Sequence, residues 1–241
     1  LMATNLAGGV AIGQLNACVV RAAALDTDCT VIGGVNGGIV TAALVTLNAD
    51  PDIEEGTVFE PKNACGDIMF TYEQDDVTKR YNLSGEFGFH DYEAMAMMFG
   101  GTTVLGKAGG SFAGKVVGYA ERLYSAGQRN GIYLEVITSA IYAGAGSCVA
   151  SDGSTPAAVG HIFGKVKLQR GASNFANEVK LLTFTGKATN NPNLYNGPWN
   201  DYPGSTYIPN SAYVEIGYTQ AEYDAILAAV ADGYVDLPAG S

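Results

Sequence analysis

Charge is scarce in this 241-residue chain: Asp, Glu, Lys and Arg together make up 15%, against about 25% in an average soluble domain. Cations are scarcer still, with 13 Lys and Arg facing 24 Asp and Glu and a formal net charge of −11. That balance argues against a protein whose task is to grip nucleic-acid phosphates. The deficit falls on the surface, since the hydrophobic fraction of 47% is ordinary.

Long apolar runs are also missing. Leu1 to Val20 and Cys29 to Ala49 carry no charge, but Thr4, Asn5, Gln14 and Asn16 break the first, and Gly33, Gly34, Asn36, Gly37 and Gly38 fill the middle of the second. Neither reads as a membrane span. The first basic residue is Arg21, so no positive n-region precedes an apolar core, and the chain is expected to be made in the cytosol and to stay out of the secretory route. Cys18, Cys29, Cys65 and Cys148 form no C-x-x-C pair and no zinc spacing, which predicts free thiols.

Reactive groups are few. His90 and His161 are the only histidines; the first reads as a turn residue before a helix and the second as a solvent-facing strand residue. The nearest approach to a serine-hydrolase elbow, Gly109-Gly110-Ser111-Phe112-Ala113, ends in Ala. Gly109 to Lys115 has the G-x-x-x-x-G-K spacing of a phosphate loop, but Val116 stands where the magnesium-binding hydroxyl belongs. With no complete set of nucleophile, base and metal ligands, the chain is expected to be no enzyme and to carry no cofactor and no metal.

What the sequence has in abundance is glycine, 32 residues without a collagen-like period, and short β-branched runs between turns. Cys18–Leu25 and Ile39–Leu47 read as one hairpin, and Asp67–Glu73 with Arg80–Phe89 as a second, whose alternation predicts Ile68, Phe70 and Tyr72 half-buried on one face. Between them Asn48–Asn63, with two prolines and five carboxylates, reads as a long exposed loop holding a short extended piece at Thr57-Val58-Phe59. Asp91 is a good N-cap, Met95, Met98 and Phe99 form an apolar stripe, and Gly100-Gly101 is a stop, which predicts one short helix plugging a core. The stretch Gly100–Gly114 reads as turns. Strands are expected at Val116–Leu123, Ile132–Tyr142, His161–Gln169, Asn177–Thr189 and Ala212–Tyr218, and a helix at about Gln220–Ala231 with Thr219 as N-cap.

Two carboxylate clusters, Asp50/Asp52/Glu54/Glu55 and Glu73/Asp75/Asp76, lack the calcium-loop pattern and read as solvated acidic turns or as a collective negative charge. Glycosidase-type pairs are set by three-dimensional spacing, and no sugar-binding aromatic pattern accompanies these clusters.

The order of motifs carries a resemblance. His161-Ile162-Phe163-Gly164-Lys165-Val166-Lys167-Leu168, Asn174-Phe175-Ala176-Asn177-Glu178, Thr189-Asn190-Asn191-Pro192-Asn193 and above all Asn196-Gly197-Pro198-Trp199-Asn200-Asp201-Tyr202-Pro203-Gly204 resemble the major tail tube proteins of long-tailed, non-contractile bacteriophages of actinobacteria. Glu55–Asp67 and Asp91–Gly101 are similar to the same family, and the resemblance covers roughly residues 18 to 204. It implies a mainly β fold of two packed antiparallel sheets, a β-sandwich or split barrel, in a tube domain over residues 1–211. That domain ends in an aromatic, proline-pinned arm at 190–210, and a strand-plus-helix extension at 212–241 follows.

The resemblance further implies a structural virion protein with copies of itself as partner, in six-membered rings stacked into a tail tube assembled in the host cytoplasm. A tape measure protein, tail terminator and distal tail proteins are the other expected partners, and genomic DNA passes through without sequence-specific binding. On this reading Glu73, Asp75, Asp76 and Glu86 are candidates for the bore, since hairpin strands of such proteins contribute to the inner barrel. Asp52, Glu54, Glu55 and Phe59 are candidates for contact with the next ring, Phe59 being an apolar anchor among carboxylates. Tyr195, Trp199, Tyr202 and Tyr207 keep an alternative open, an extracellular β-sandwich adhesin or carbohydrate-binding module.

Overall fold

The computed structural model describes residues 12–32, 37–88, 91–122, 131–142, 157–172, 181–193 and 212–230. These residues are mainly β. An eight-stranded sheet contains β1 (Ile12–Ala24), β2 (Gly38–Thr41), β3 (Leu44–Glu54), β6 (Val77–Phe87), β9 (Ile132–Tyr142), β10 (Ala158–Arg170), β11 (Leu182–Thr189) and β12 (Val214–Tyr218). Its path runs β2-β1-β9-β10-β11-β6-β3, all neighbours antiparallel, with β12 beside the first half of β10 and β11 beside the second. Two ribbons complete the strands, β4 (Val58–Phe59) with β5 (Tyr72–Glu73), and β7 (Gly101–Leu105) with β8 (Val116–Glu121). One dominant sheet thus stands where two packed sheets were expected.

The sheet curls on itself. β2 and β3 lie at opposite ends of the strand order, yet only Ala42 and Ala43 separate Thr41 from Leu44, a link that spans at most about 11 Å. The expected strand Ile39–Leu47 is therefore two strands on either side of a seam, joined where the amide of Ala43 donates to Thr41 Oγ1 at 3.2 Å. Ala42 and Ala43 at the break are apolar and no Gly or Pro stands there, so the sequence pattern alone does not mark it.

The concave side of the curl is filled. Helix α1 (Tyr92–Phe99) begins where Asp91 accepts from the amides of Glu93 and Ala94 and ends at Gly100, φ 68°. Its Ala94, Met95, Met98 and Phe99 are buried against Val20, Leu134, Phe87, Phe184 and Leu168 of the sheet, each large side chain contributing on the order of 1.5–3 kcal/mol. Phe87 and Phe184 stack at 4.9 Å between β6 and β11. The stretch expected as turns, Gly100–Gly114, instead opens with β7. The β7–β8 ribbon lies beside α1, with the Tyr119 hydroxyl donating to the Gly100 carbonyl at 2.9 Å.

The convex side is covered over only half its width. Helix α2 (Gln220–Val230) starts at a capping box, Glu222 accepting from the amide of Thr219 at 2.8 Å and from its hydroxyl at 2.9 Å. Ile226 and Tyr223 then pack on Val19, Val40, Ile137 and Tyr218. On that side Ala158 and Ile162 in the first half of β10 are still covered, by α2 and by Leu25 and Val31, whereas the second half of β10 with β11, β6 and β3 presents a polar surface.

Candidate assembly surface

Beyond the curl, β3 and β6 continue together as an arm. Their register runs from Leu44↔Phe87 to Glu54↔Val77, and Arg80 bridges to Asp52 at 2.6 Å while Lys79 bridges to Glu54 at 3.0 Å. The first pair is partly buried and the second exposed, and pairs so open to solvent fix the pairing more than they stabilise it. The expected loop Asn48–Asn63 is thus strand up to Glu54, and the expected Asp67–Phe89 hairpin does not form. β5 pairs with β4, and β6 pairs with β3 and β11. Local turn signals at Asp75-Asp76 suggested a tight hairpin, but the chain closes a longer-range ladder instead.

Residues 55–76 form the tip. Gly56 N–H donates to Asp76 Oδ1 at 2.7 Å, and a Cβ on Gly56 would overlap the Gln74 carbonyl. At the far end Asn63 Oδ1 accepts from the amides of Cys65 and Asp67, both at 2.9 Å, and Gly66 takes φ 91°, the Asx-turn chemistry that suits Asn. Phe59 faces Tyr72 across the ladder and lies 6.1 Å from Phe70. Phe59, Ile68, Met69, Phe70 and Tyr72 are nonetheless all more than half exposed. Ile68, Phe70 and Tyr72 are therefore not half-buried as expected. The tip carries six carboxylates and one lysine.

Glu55 and Phe59 stand on the first limb of the tip, Glu73, Asp75 and Asp76 on the second, and Asp52 and Glu54 at its root. Glu86 lies apart, at the base of β6 between Thr46 and Thr183 on the open convex face. Seven of the eight candidate residues thus share one element, although they were assigned two different roles.

The open face holds a feature the sequence reading passed over. Lys165, Lys167, Lys187 and Asp50 line a shallow groove of about 740 Å³ together with Asn82, Ser84 and Thr185. Lys167 and Lys187 stand directly opposite each other on β10 and β11, a like-charge placement that costs a few tenths of a kcal/mol or more. The Lys165-Val166-Lys167 alternation was the available signal.

Two polar clusters are internal. On the convex side Arg21 of β1 bonds Glu135 of β9 through Nε at 2.7 Å and Tyr218 OH through Nη2 at 2.8 Å, and Glu135 also accepts from the hydroxyls of Tyr133 and Tyr218. Burial opposes the Arg21 charge, but Glu135 and the two phenols outweigh it and hold the guanidinium above its ordinary range. At the end of the curl away from α1, His161 meets Tyr213 OH at 2.6 Å and Thr138 Oγ1 at 3.3 Å. His161 is thus not the solvent-facing residue expected: it borders a cavity of about 400 Å³ with Leu47, Tyr81, Val136 and Phe163. Burial lowers its pKa below 6.5, with Glu215 and Glu135 opposing.

His90 and Cys148 lie outside the described residues, as do the Asn196–Gly204 motif and the four aromatic residues behind the adhesin alternative. Among the described residues no three His, Cys, Asp or Glu side chains come together as a metal-ligating set, and no described helix is long and apolar enough to cross a membrane. Compared with known proteins, the chain matches no family model and no curated protein.

Proposed function

We propose that this chain is a structural subunit of a bacteriophage tail tube, one of six copies in a ring, with rings stacked so that genomic DNA passes through the bore. The observation that carries the reading is the arm. A β-ribbon with Phe59, Ile68, Met69, Phe70 and Tyr72 in water has no core of its own, and contiguous apolar surface of this kind marks a protein contact. A second copy of the chain is the partner that requires nothing else to be present, and a subunit that repeats this contact builds a polymer. The curled sheet, with no β2–β3 pairing among the described residues, supports a split barrel of the tail tube type. The low overall charge supports a surface largely covered by neighbours.

The tape measure protein, the tail terminator and the distal tail proteins are then the partners at the bore and at the two tube ends, and the site of action is the virion. The protein's role is mechanical, and it performs no reaction. Electron microscopy of the purified protein tests this: rings or tubes are expected, and excising residues 57–74 should leave the melting of the sheet unchanged while polymers disappear. A protein that stays monomeric at all concentrations, or a shortened variant that still forms tubes, would refute it.

A further inference from the structure

The proposed function leaves open which surface receives the arm, and the β7–β8 ribbon has the matching chemistry. β7 and β8 turn Thr103 and Tyr119 toward α1. That leaves Thr102, Val104, Gly118 and Ala120 on the other side, a nearly flat shelf beside the exposed Leu105 and Phe112. Its loop, residues 106–115, holds Lys107 and Lys115 and no carboxylate. The arm tip is the converse, with Phe59, Phe70 and Tyr72 clustered, and with Glu60 and Glu73 near them on limbs that carry a large acidic excess.

Position agrees with chemistry. The tip leaves the sheet at Val77, whereas α1 and its ribbon sit by Phe87, so the 11 residues of β6 put about 33 Å between the two surfaces at about 3.3 Å per residue. A protomer's own ribbon lies behind the root of its arm.

We infer that the tip of one copy docks on the β7–β8 ribbon of the next, rings on shelf and carboxylates against Lys107 and Lys115. This rests on the tube reading and names the partner surface within it. The contact is heterologous, between two different surfaces at opposite ends of the subunit. Such a contact propagates into an open stack instead of closing as a dimer.

Charge reversal tests the pairing. Glu60→Lys with Glu73→Lys inverts the tip, Lys107→Glu with Lys115→Glu inverts the ribbon, and all four side chains are exposed, so folding should be unchanged by circular dichroism. Each inversion alone should raise the protein concentration needed for polymer by about tenfold, the equivalent of about 1.4 kcal/mol, and the quadruple variant should recover it. Wild-type tubes with reversals that each polymerise normally, or a quadruple variant no better than its parents, would overturn the pairing while leaving the tube reading in place. A wild-type protein that never polymerises would remove both.

Discussion

Replacing Arg21 by methionine isolates the charge of the buried network from its packing, because the long side chain is kept and only the guanidinium is lost. Glu135, whose side chain is fully buried, is left with the hydroxyls of Tyr133 and Tyr218 as donors and no countercharge. Removing one partner of a buried ion pair costs about 3–5 kcal/mol. In a chain of this length each kcal/mol moves Tm by about 2–4 °C, so the variant should melt roughly 6–20 °C below wild type. The double variant Arg21→Met/Glu135→Leu takes away the stranded charge as well. It still removes the carboxylate to which Tyr133 and Tyr218 both donate, at about 1–3 kcal/mol for each lost bond, and should melt above Arg21→Met but below wild type. Thermal unfolding followed by circular dichroism at pH 7 measures all three. Salt should change the differences little, since screening acts on exposed pairs. An Arg21→Met protein within about 2 °C of wild type, or a double variant less stable than the single, would show that the network does not hold β1, β9 and β12 together in this way.

Other perturbations follow from the same geometry. His161 titrates below 6.5 in the folded chain, so the unfolded chain takes up its proton first; stability is complete above about pH 6.5 and falls as pH drops through the folded value. His161→Gln should remove that component of the pH dependence, and identical wild-type and variant slopes between pH 7 and 5 would contradict the assignment. Met98→Ala empties a site 1% exposed beneath the sheet and should cost about 2–5 kcal/mol in urea unfolding. Gly56→Ala should splay the limbs of the arm, lowering polymer yield with no change in Tm; a drop in Tm instead would place Gly56 in the folding core.

The helix and most strands were legible because their signals are local. Asp91, the Met stripe and Gly100 are contiguous, and the capping box Thr219/Glu222 spans one turn. The arm was not legible, because its ladder joins Leu44–Glu54 to Val77–Phe87 across more than twenty intervening residues. Nothing in the composition of Asn48–Asn63 separates an exposed ribbon from an exposed loop. Both are polar, and Pro51 is tolerated on an edge strand as readily as in a turn. Burial misled the second hairpin in the opposite sense. Ile68, Phe70 and Tyr72 have the pattern of a half-buried strand, yet all three are more than half exposed.

Part of the resemblance also gains a physical account. Asn191, from the Thr189–Asn193 motif, is buried and donates to the carbonyls of Cys29 and Gly164, both at 2.9 Å. Asn193 donates to the Asp28 carbonyl at 2.6 Å. The motif thus pins the turn after β1, where Cys29 holds φ 65°, against β10. These contacts lie within the folded sheet, whereas Glu55–Asp67 lie on the exposed arm.

Scarce charge is also segregated charge. The tip concentrates carboxylates, and the open face of β10–β11–β6–β3 gathers three of the chain's few lysines with only Asp50 and Glu86 named among its acids. A uniform surface of charge −11 would make copies repel at every approach. Sorting the signs onto separate surfaces makes repulsion depend on orientation: tip to tip and face to face are disfavoured, while an acidic surface meeting a basic one is not. Apolar side chains supply adhesion without direction, and the placement of charge supplies the direction. If the proposed tube forms, this arrangement lets a copy expose several aromatic rings and still add to a growing end in one orientation.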